Sequence, residues 1–143
     1  MATEARGSGI YAVSKTRRVL IVDDHVDSAQ LIAEVLAAQG HDTRVAHEPQ
    51  AALRTALEFE PQVAILDIGL PGMSGYDLLQ SLRAKSQLSD CRFIAVTGHN
   101  ERADRRRSAE AGFQMHLTKP FDLRAVLNAV QADSTSARKN DAR

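Results

Sequence analysis

The chain has no tryptophan, one cysteine and only four prolines in 143 residues. A single cysteine excludes a disulfide framework within the chain, and it opens an apolar run as a small packed side chain. The aromatics are Tyr11, Phe59, Tyr76, Phe93, Phe113 and Phe121. They are too few and too scattered to form a stacking platform for single-stranded nucleic acid. No apolar run approaches the roughly 18 residues of a membrane span. The N-terminus has no continuous hydrophobic core of a signal peptide. The expectation is therefore a cytoplasmic protein with no membrane insertion. Net charge is also lacking, with 18 basic and 18 acidic residues. That balance argues against a dedicated nucleic-acid binder. The run Arg105-Arg106-Arg107 reads as a solvated helix face.

The chain does contain short apolar runs alternating with helical patterns. Its length suits one domain. Residues 1–16 are small and polar and read as a flexible leader. Residues 133–143 are rich in serine, alanine and charge and read as a flexible tail. The domain is expected over residues 17–132. Strands are expected at Val19–Val22, near Thr43–Ala46, and at Val63–Leu66, Phe93–Val96 and Met115–Thr118. The first, third and fourth are continuous rather than alternating, as strands buried on both faces are.

Helices fill the intervals. The first places Leu31, Ile32, Val35 and Leu36 on one face and stops at Gly40. Pro49 suits the opening turn of the second. Ser74 and Asp77 resemble a capping box for the third. A fourth, near Glu101 to Ala111, has only alanine as apolar content and is expected to be weakly held. Asp122 caps the last, whose apolar face is Leu123, Val126, Leu127 and Val130. Five βα units in series predict a doubly wound α/β domain with a parallel sheet.

Chemistry-bearing residues follow the strands. Asp23 and Asp24 come after the first, Asp67 after the third and Lys119 after the fifth. In an open parallel sheet these positions line one edge, where ligands bind. Three carboxylates in one pocket repel one another unless a cation sits among them. Hard oxygen ligands fit magnesium. A nearby lysine fits a phosphate. Asp23 and Asp24 have a bland alternative as caps of the first helix. His25, His41, His47 and His99 show no zinc spacing and read as surface or loop histidines. His25 and His99 stand beside motif residues at the pocket rim. Met73 reads as loop packing.

Together, Val22-Asp23-Asp24, Asp67-Ile68-Gly69-Leu70-Pro71-Gly72-Met73-Ser74-Gly75, Val96-Thr97-Gly98 and Lys119-Pro120-Phe121 resemble a response-regulator receiver domain of the chemotaxis-regulator type. The resemblance covers about Arg18 to Gln131. It implies a flavodoxin-like (βα)5 sheet in strand order 2-1-3-4-5. It implies that Asp67 accepts a phosphoryl group from a sensor histidine kinase or histidine phosphotransfer protein. Magnesium, with manganese as a substitute, would be held by Asp23, Asp24, Asp67 and the backbone carbonyl of Gly69. Lys119 would pair with a phosphoryl oxygen and Thr97 would hydrogen-bond another. The bond before Pro120 is commonly cis in this family.

One position departs from the commonest pattern. Three residues before Lys119 the family often has tyrosine or phenylalanine; here it is His116, an amphipathic ring expected to act as a switch with Thr97. The resemblance implies a phosphoacceptor signalling domain rather than an enzyme. It would act on a downstream protein effector through the fourth helix, fifth strand and fifth helix, as a monomer or a phosphorylation-dependent dimer. A stand-alone regulator is the first reading. A receiver cut from a hybrid kinase, a phosphorelay intermediate and a phosphorylation-independent adaptor are the alternatives. An aspartyl phosphatase would place a second aspartate where Gly69 stands, so it is disfavoured.

Overall fold

The computed structural model describes residues 15–70, 72–98 and 102–132, with only the backbone of 102–104. The expected tail, most of the expected leader, and His99 lie outside the described residues. Five strands form one parallel sheet in the order β2-β1-β3-β4-β5. They are β1 (Arg18–Val22), β2 (Asp42–Ala46), β3 (Val63–Asp67), β4 (Arg92–Thr97) and β5 (Met115–Thr118). The helices are α1 (Val26–Ala38), α2 (Pro49–Phe59), α3 (Gly75–Arg83), α4 (Arg102–Ala111) and α5 (Leu123–Gln131), with a 3-10 turn at Ser86–Leu88.

The continuous apolar runs are central strands because both faces of the sheet are covered. On one face Leu20, Val22, Leu66 and Phe93 pack with Ala52 and Ala56 of α2 and Leu78, Leu79 and Leu82 of α3. On the other, Ile21, Ile65, Ile94 and Val96 pack with Ile32 and Leu36 of α1 and Val126 and Val130 of α5. Burial of this kind contributes about 1.5–3 kcal/mol per large aliphatic side chain.

Local signals explain the ends. Gly40 takes a left-handed φ of 101° just past α1, a conformation that favours glycine. The Ser74 hydroxyl accepts from the amide of Asp77 at 3.2 Å. The Asp122 carboxylate accepts from the amide of Arg124 at 2.8 Å.

Three readings need correction. The buried face of α1 is Ala29, Ile32, Ala33 and Leu36, while Leu31 is 51% exposed and Val35 half-buried. Neighbouring helix residues lie roughly 100° apart, so Leu31 turns away from the stripe centred on Ile32 and Leu36. On α5, Ala129 joins Val126 and Val130 in the core, and Leu123 and Leu127 are only partly covered. His41 is not a surface histidine. It is 4% exposed; its Nδ1 accepts from the amide of Arg17 at 3.1 Å and its Nε2 lies 3.2 Å from the Gln131 side chain.

Arg92 is also buried, although it opens the β4 strand. Its Nη1 donates to the carbonyls of Ala129 and Ala132 at 3.1 and 2.7 Å. A cation at the carboxyl end of α5 meets the negative end of the helix dipole.

Candidate functional site

Every strand of the sheet runs the same way, so the loops after β1, β3, β4 and β5 meet at one edge. Asp67 is the last residue of β3. The amide of Ile68 donates to the carbonyl of Val96 at 2.9 Å, and the amide of Gly75 donates to the carbonyl of Ile68 at 2.9 Å. These two bonds fold the loop back and fix the direction of Asp67. Gly75 itself has no room for a side chain. A Cβ there would lie 2.6 Å from Ile68 Cα and 2.7 Å from the Asp67 carbonyl oxygen. The sequence showed this glycine only as part of the loop motif; the close approach is a property of the backbone.

The structure brings Asp23, Asp24 and Asp67 together, with carboxylate oxygens within 4.8 Å of one another. Asp23 and Asp67 are buried and Asp24 is exposed. Lys119 Nζ lies 3.5 Å from Asp23 Oδ2 and 3.7 Å from Asp67 Oδ2. Its own amide donates to the carbonyl of Thr97 at 2.7 Å, and the Lys119–Pro120 bond is cis. Thr97 is buried at the end of β4.

Asp67 has two distinct oxygens. Oδ1 accepts from the amide of Gly69 at 2.9 Å, while Oδ2 faces Lys119. Burial raises the Asp67 carboxyl above the ordinary carboxylate range. The Gly69 amide opposes that, Asp23 adds to it, and Lys119 opposes it. Asp23 does not cap α1: its Oδ1 accepts from the amide of His25 at 2.9 Å, and His25, the N-cap, makes no side-chain capping bond, its Nδ1 lying 3.4 Å from Ser28 Oγ. His47 Nδ1 meets the carbonyl of Asp23 at 3.0 Å.

The donor set tests well for a hard divalent cation. Three oxygen donors converge, two with little water around them, and a single lysine offsets their charge only in part. Beside them opens a largely apolar groove of about 610 Å³, lined by Ser28, Leu31, Gly98, Lys119 and Phe121 among others. His116 is not part of this cluster. It sits on β5, its Nδ1 3.0 Å from Ser108 Oγ on α4. Ser108, 1% exposed, carried no signal in the sequence beyond its position on α4.

The geometry agrees with what comparisons find. A family model described as the response regulator receiver domain matches residues 19–131. The DNA-binding response regulator MtrA of Mycobacterium tuberculosis is 32% identical over 125 residues, 87% of this chain and 52% of that protein. The chain thus spans about half the length of the curated relatives it matches. The chemotaxis response regulator CheY4 of Vibrio cholerae superposes with a TM-score of 0.76 at 25% identity, over 82% of this chain and 98% of that one. A putative response regulator from Chloroflexus aurantiacus gives 0.75 at 28% identity, over 81% and 95%.

Proposed function

The chain belongs to the response-regulator receiver family of two-component signalling, and on that premise we propose that Asp67 is its phosphoacceptor. The observation that carries the proposal is the meeting of Asp67 with Asp23, Asp24 and Lys119 at one sheet edge. A carboxylate is a recognised nucleophile for forming an aspartyl phosphate. Asp67 attacks the phosphorus of a phosphohistidine on a sensor kinase or phosphotransfer protein. The P–N bond breaks and its electron pair returns to the donor imidazole.

Asp67, Asp23, Asp24 and the carbonyl of Gly69 are the residues that would hold magnesium, or manganese in its place. Bound there, the ion supplies neutralisation of the charge gathering between two anionic reactants. Lys119 pairs with a phosphoryl oxygen, which draws it away from Asp23. The Thr97 hydroxyl donates to another. His116 repacks beneath α4 in response, so the surface of α4, β5 and α5 changes for a downstream protein effector. Such a switch is a two-state equilibrium biased by a local charge event.

The domain, taken as residues 17–132, signals rather than turns over external substrates; its chemistry is transfer to itself and loss of the same phosphate. Gly69 stands where an aspartyl phosphatase needs its general acid. No described helix is long and apolar enough to cross a membrane. The relatives' name includes DNA binding; for the receiver portion we assign protein partners, in a monomer or a phosphorylation-dependent dimer. The test is intact mass after incubation with acetyl phosphate and magnesium. One phosphoryl adduct is expected, lost when magnesium is chelated; an adduct unaffected by chelation would contradict the metal assignment.

A further inference from the structure

The loop after β2 is the one strand-end loop from which no site residue has been assigned. β2 lies at the edge of the sheet beside β1. It ends at Ala46, and His47 and Glu48 lead into α2 at Pro49. The two strands stay joined one step past β1, where the amide of Asp23 donates to the carbonyl of Ala46 at 3.1 Å. Beyond that step the chain of β2 turns into α2. There the carbonyl of Asp23 is met by a side chain, the Nδ1 of half-buried His47, at 3.0 Å. A carbonyl oxygen only accepts, so Nδ1 carries the proton and donates. The neutral ring protonated at Nδ1 and the charged ring both make this bond, so it does not depend on titration.

The bond acts on the acidic turn rather than on a helix. The N-cap of α2 is Glu48, not His47, and the His47 Nδ1 is committed to Asp23. The carbonyl of Asp23 and the amide of Asp24 belong to one planar peptide unit. Holding that carbonyl sets the plane from which Asp24 projects. The Asp23 side chain has restraints of its own: Oδ1 accepts from the amide of His25 at 2.9 Å and Oδ2 faces Lys119 Nζ at 3.5 Å. Asp24 is exposed, yet its carboxylate stands within 4.8 Å of those of Asp23 and Asp67. Carboxylates this close repel one another when no cation lies between them, and exposure gives Asp24 room to turn away. The fixed peptide plane opposes that turn.

We propose that His47 is a positioning residue for the divalent cation. From the edge strand it holds the Asp23–Asp24 peptide so that the Asp24 carboxylate stays aimed at the ion beside Asp23 and Asp67, and it does not touch the ion itself. The proposal rests on the reading of the acidic cluster as a magnesium site. Partners that orient metal ligands are typically worth about 10- to 100-fold in metal affinity. The reason is that a ligand already aimed loses less freedom when the ion binds. In the sequence His47 is one of several scattered histidines, because its role arises only where two loops meet.

The test is calorimetric titration of magnesium into the full, unphosphorylated chain. His47→Leu keeps the bulk and loses the donor, and its magnesium dissociation constant is expected to rise about tenfold. His47→Asn places an amide nitrogen as many bonds from Cβ as Nδ1 is, and is expected to bind magnesium close to wild type. With acetyl phosphate as donor, His47→Leu should need more magnesium for half its maximal rate, while the rate at saturating magnesium stays near wild type. If melting of the metal-free protein shows that His47→Leu does not fold, His47→Ala takes its place with the same expectation. An unchanged dissociation constant in the variant lacking the donor, or an equal weakening in His47→Asn, would overturn the proposal. Asp24→Asn is titrated beside them. Weakening in Asp24→Asn with none in His47→Leu removes the role of His47 and leaves the metal reading standing. No magnesium binding by wild type, or binding by Asp24→Asn equal to wild type, overturns the metal reading and the role of His47 with it.

Discussion

The Nδ1 atom of His116 lies 3.0 Å from the Oγ of Ser108, tying the edge strand β5 to α4. Ser108 is buried, so removing its hydroxyl takes a partner from His116 without giving it water. Ser108→Ala is expected to lower unfolding free energy by about 1–3 kcal/mol in urea denaturation. It should also loosen α4, so that effector binding depends less on the phosphoryl state. His116→Ala tests the switch directly: partner binding that responds normally to phosphorylation in that variant would remove His116 from the mechanism.

Gly75 should be intolerant of the smallest substitution. Its missing Cβ faces backbone atoms of Asp67 and Ile68, which have no flexible end to yield. Gly75→Ala is expected to cost about 1–3 kcal/mol of stability and to slow adduct formation by displacing Asp67. Gly98→Ala is the contrast: nothing lies within 4 Å of a Cβ there, and its stability should stay within about 0.5 kcal/mol of wild type.

Most of the fold was legible because the strand runs are short and apolar, and polar residues follow the first, third and fifth at the sheet edge. Asp23, Asp24, Asp67 and Lys119 could be placed from that pattern alone, and Thr97 came with the family motif. What was not legible depends on three-dimensional approach. His41 and Arg92 are polar residues that the sequence suggests should face water. Both are buried because the ends of α5 and of the chain before β1 bring backbone partners to them. Leu31 looked like core because it neighbours Ile32, and one helical step turns it outward.

The burial of His41 gives a pH dependence with a definite sign. Desolvation, and then the Arg17 charge, lower its pKa below the ordinary value of 6.5. The unfolded chain therefore takes up the proton first. Stability supplied by neutral His41 is fully present above about pH 6.5 and is lost as pH falls through the folded-state pKa. Unfolding free energy measured from pH 7.5 downward should fall less steeply in His41→Gln than in wild type. Parallel slopes would show that His41 is not a source of the pH dependence.

The acidic cluster should cost stability when no cation is bound. The Asp67 pKa is raised, so its contribution is present below the ordinary carboxylate value and lost as pH rises through the folded one. At neutral pH, Asp67→Asn is therefore expected to raise the melting temperature of the metal-free protein. Magnesium at about a hundred times its dissociation constant should stabilise wild type by roughly 2.7 kcal/mol, and Asp67→Asn and Asp24→Asn by less at the same concentration. Equal magnesium responses in all three would place the ion elsewhere.

The most direct test of the central claim is chemical identification of the phosphorylated residue. Protein treated with acetyl phosphate and magnesium is reduced with borohydride, which converts an aspartyl phosphate to homoserine, and then digested and mapped by mass. Homoserine is expected in place of Asp67 in wild type, with no conversion in Asp67→Asn. Conversion at another carboxylate in wild type, or an adduct equally abundant in Asp67→Asn, would contradict the claim.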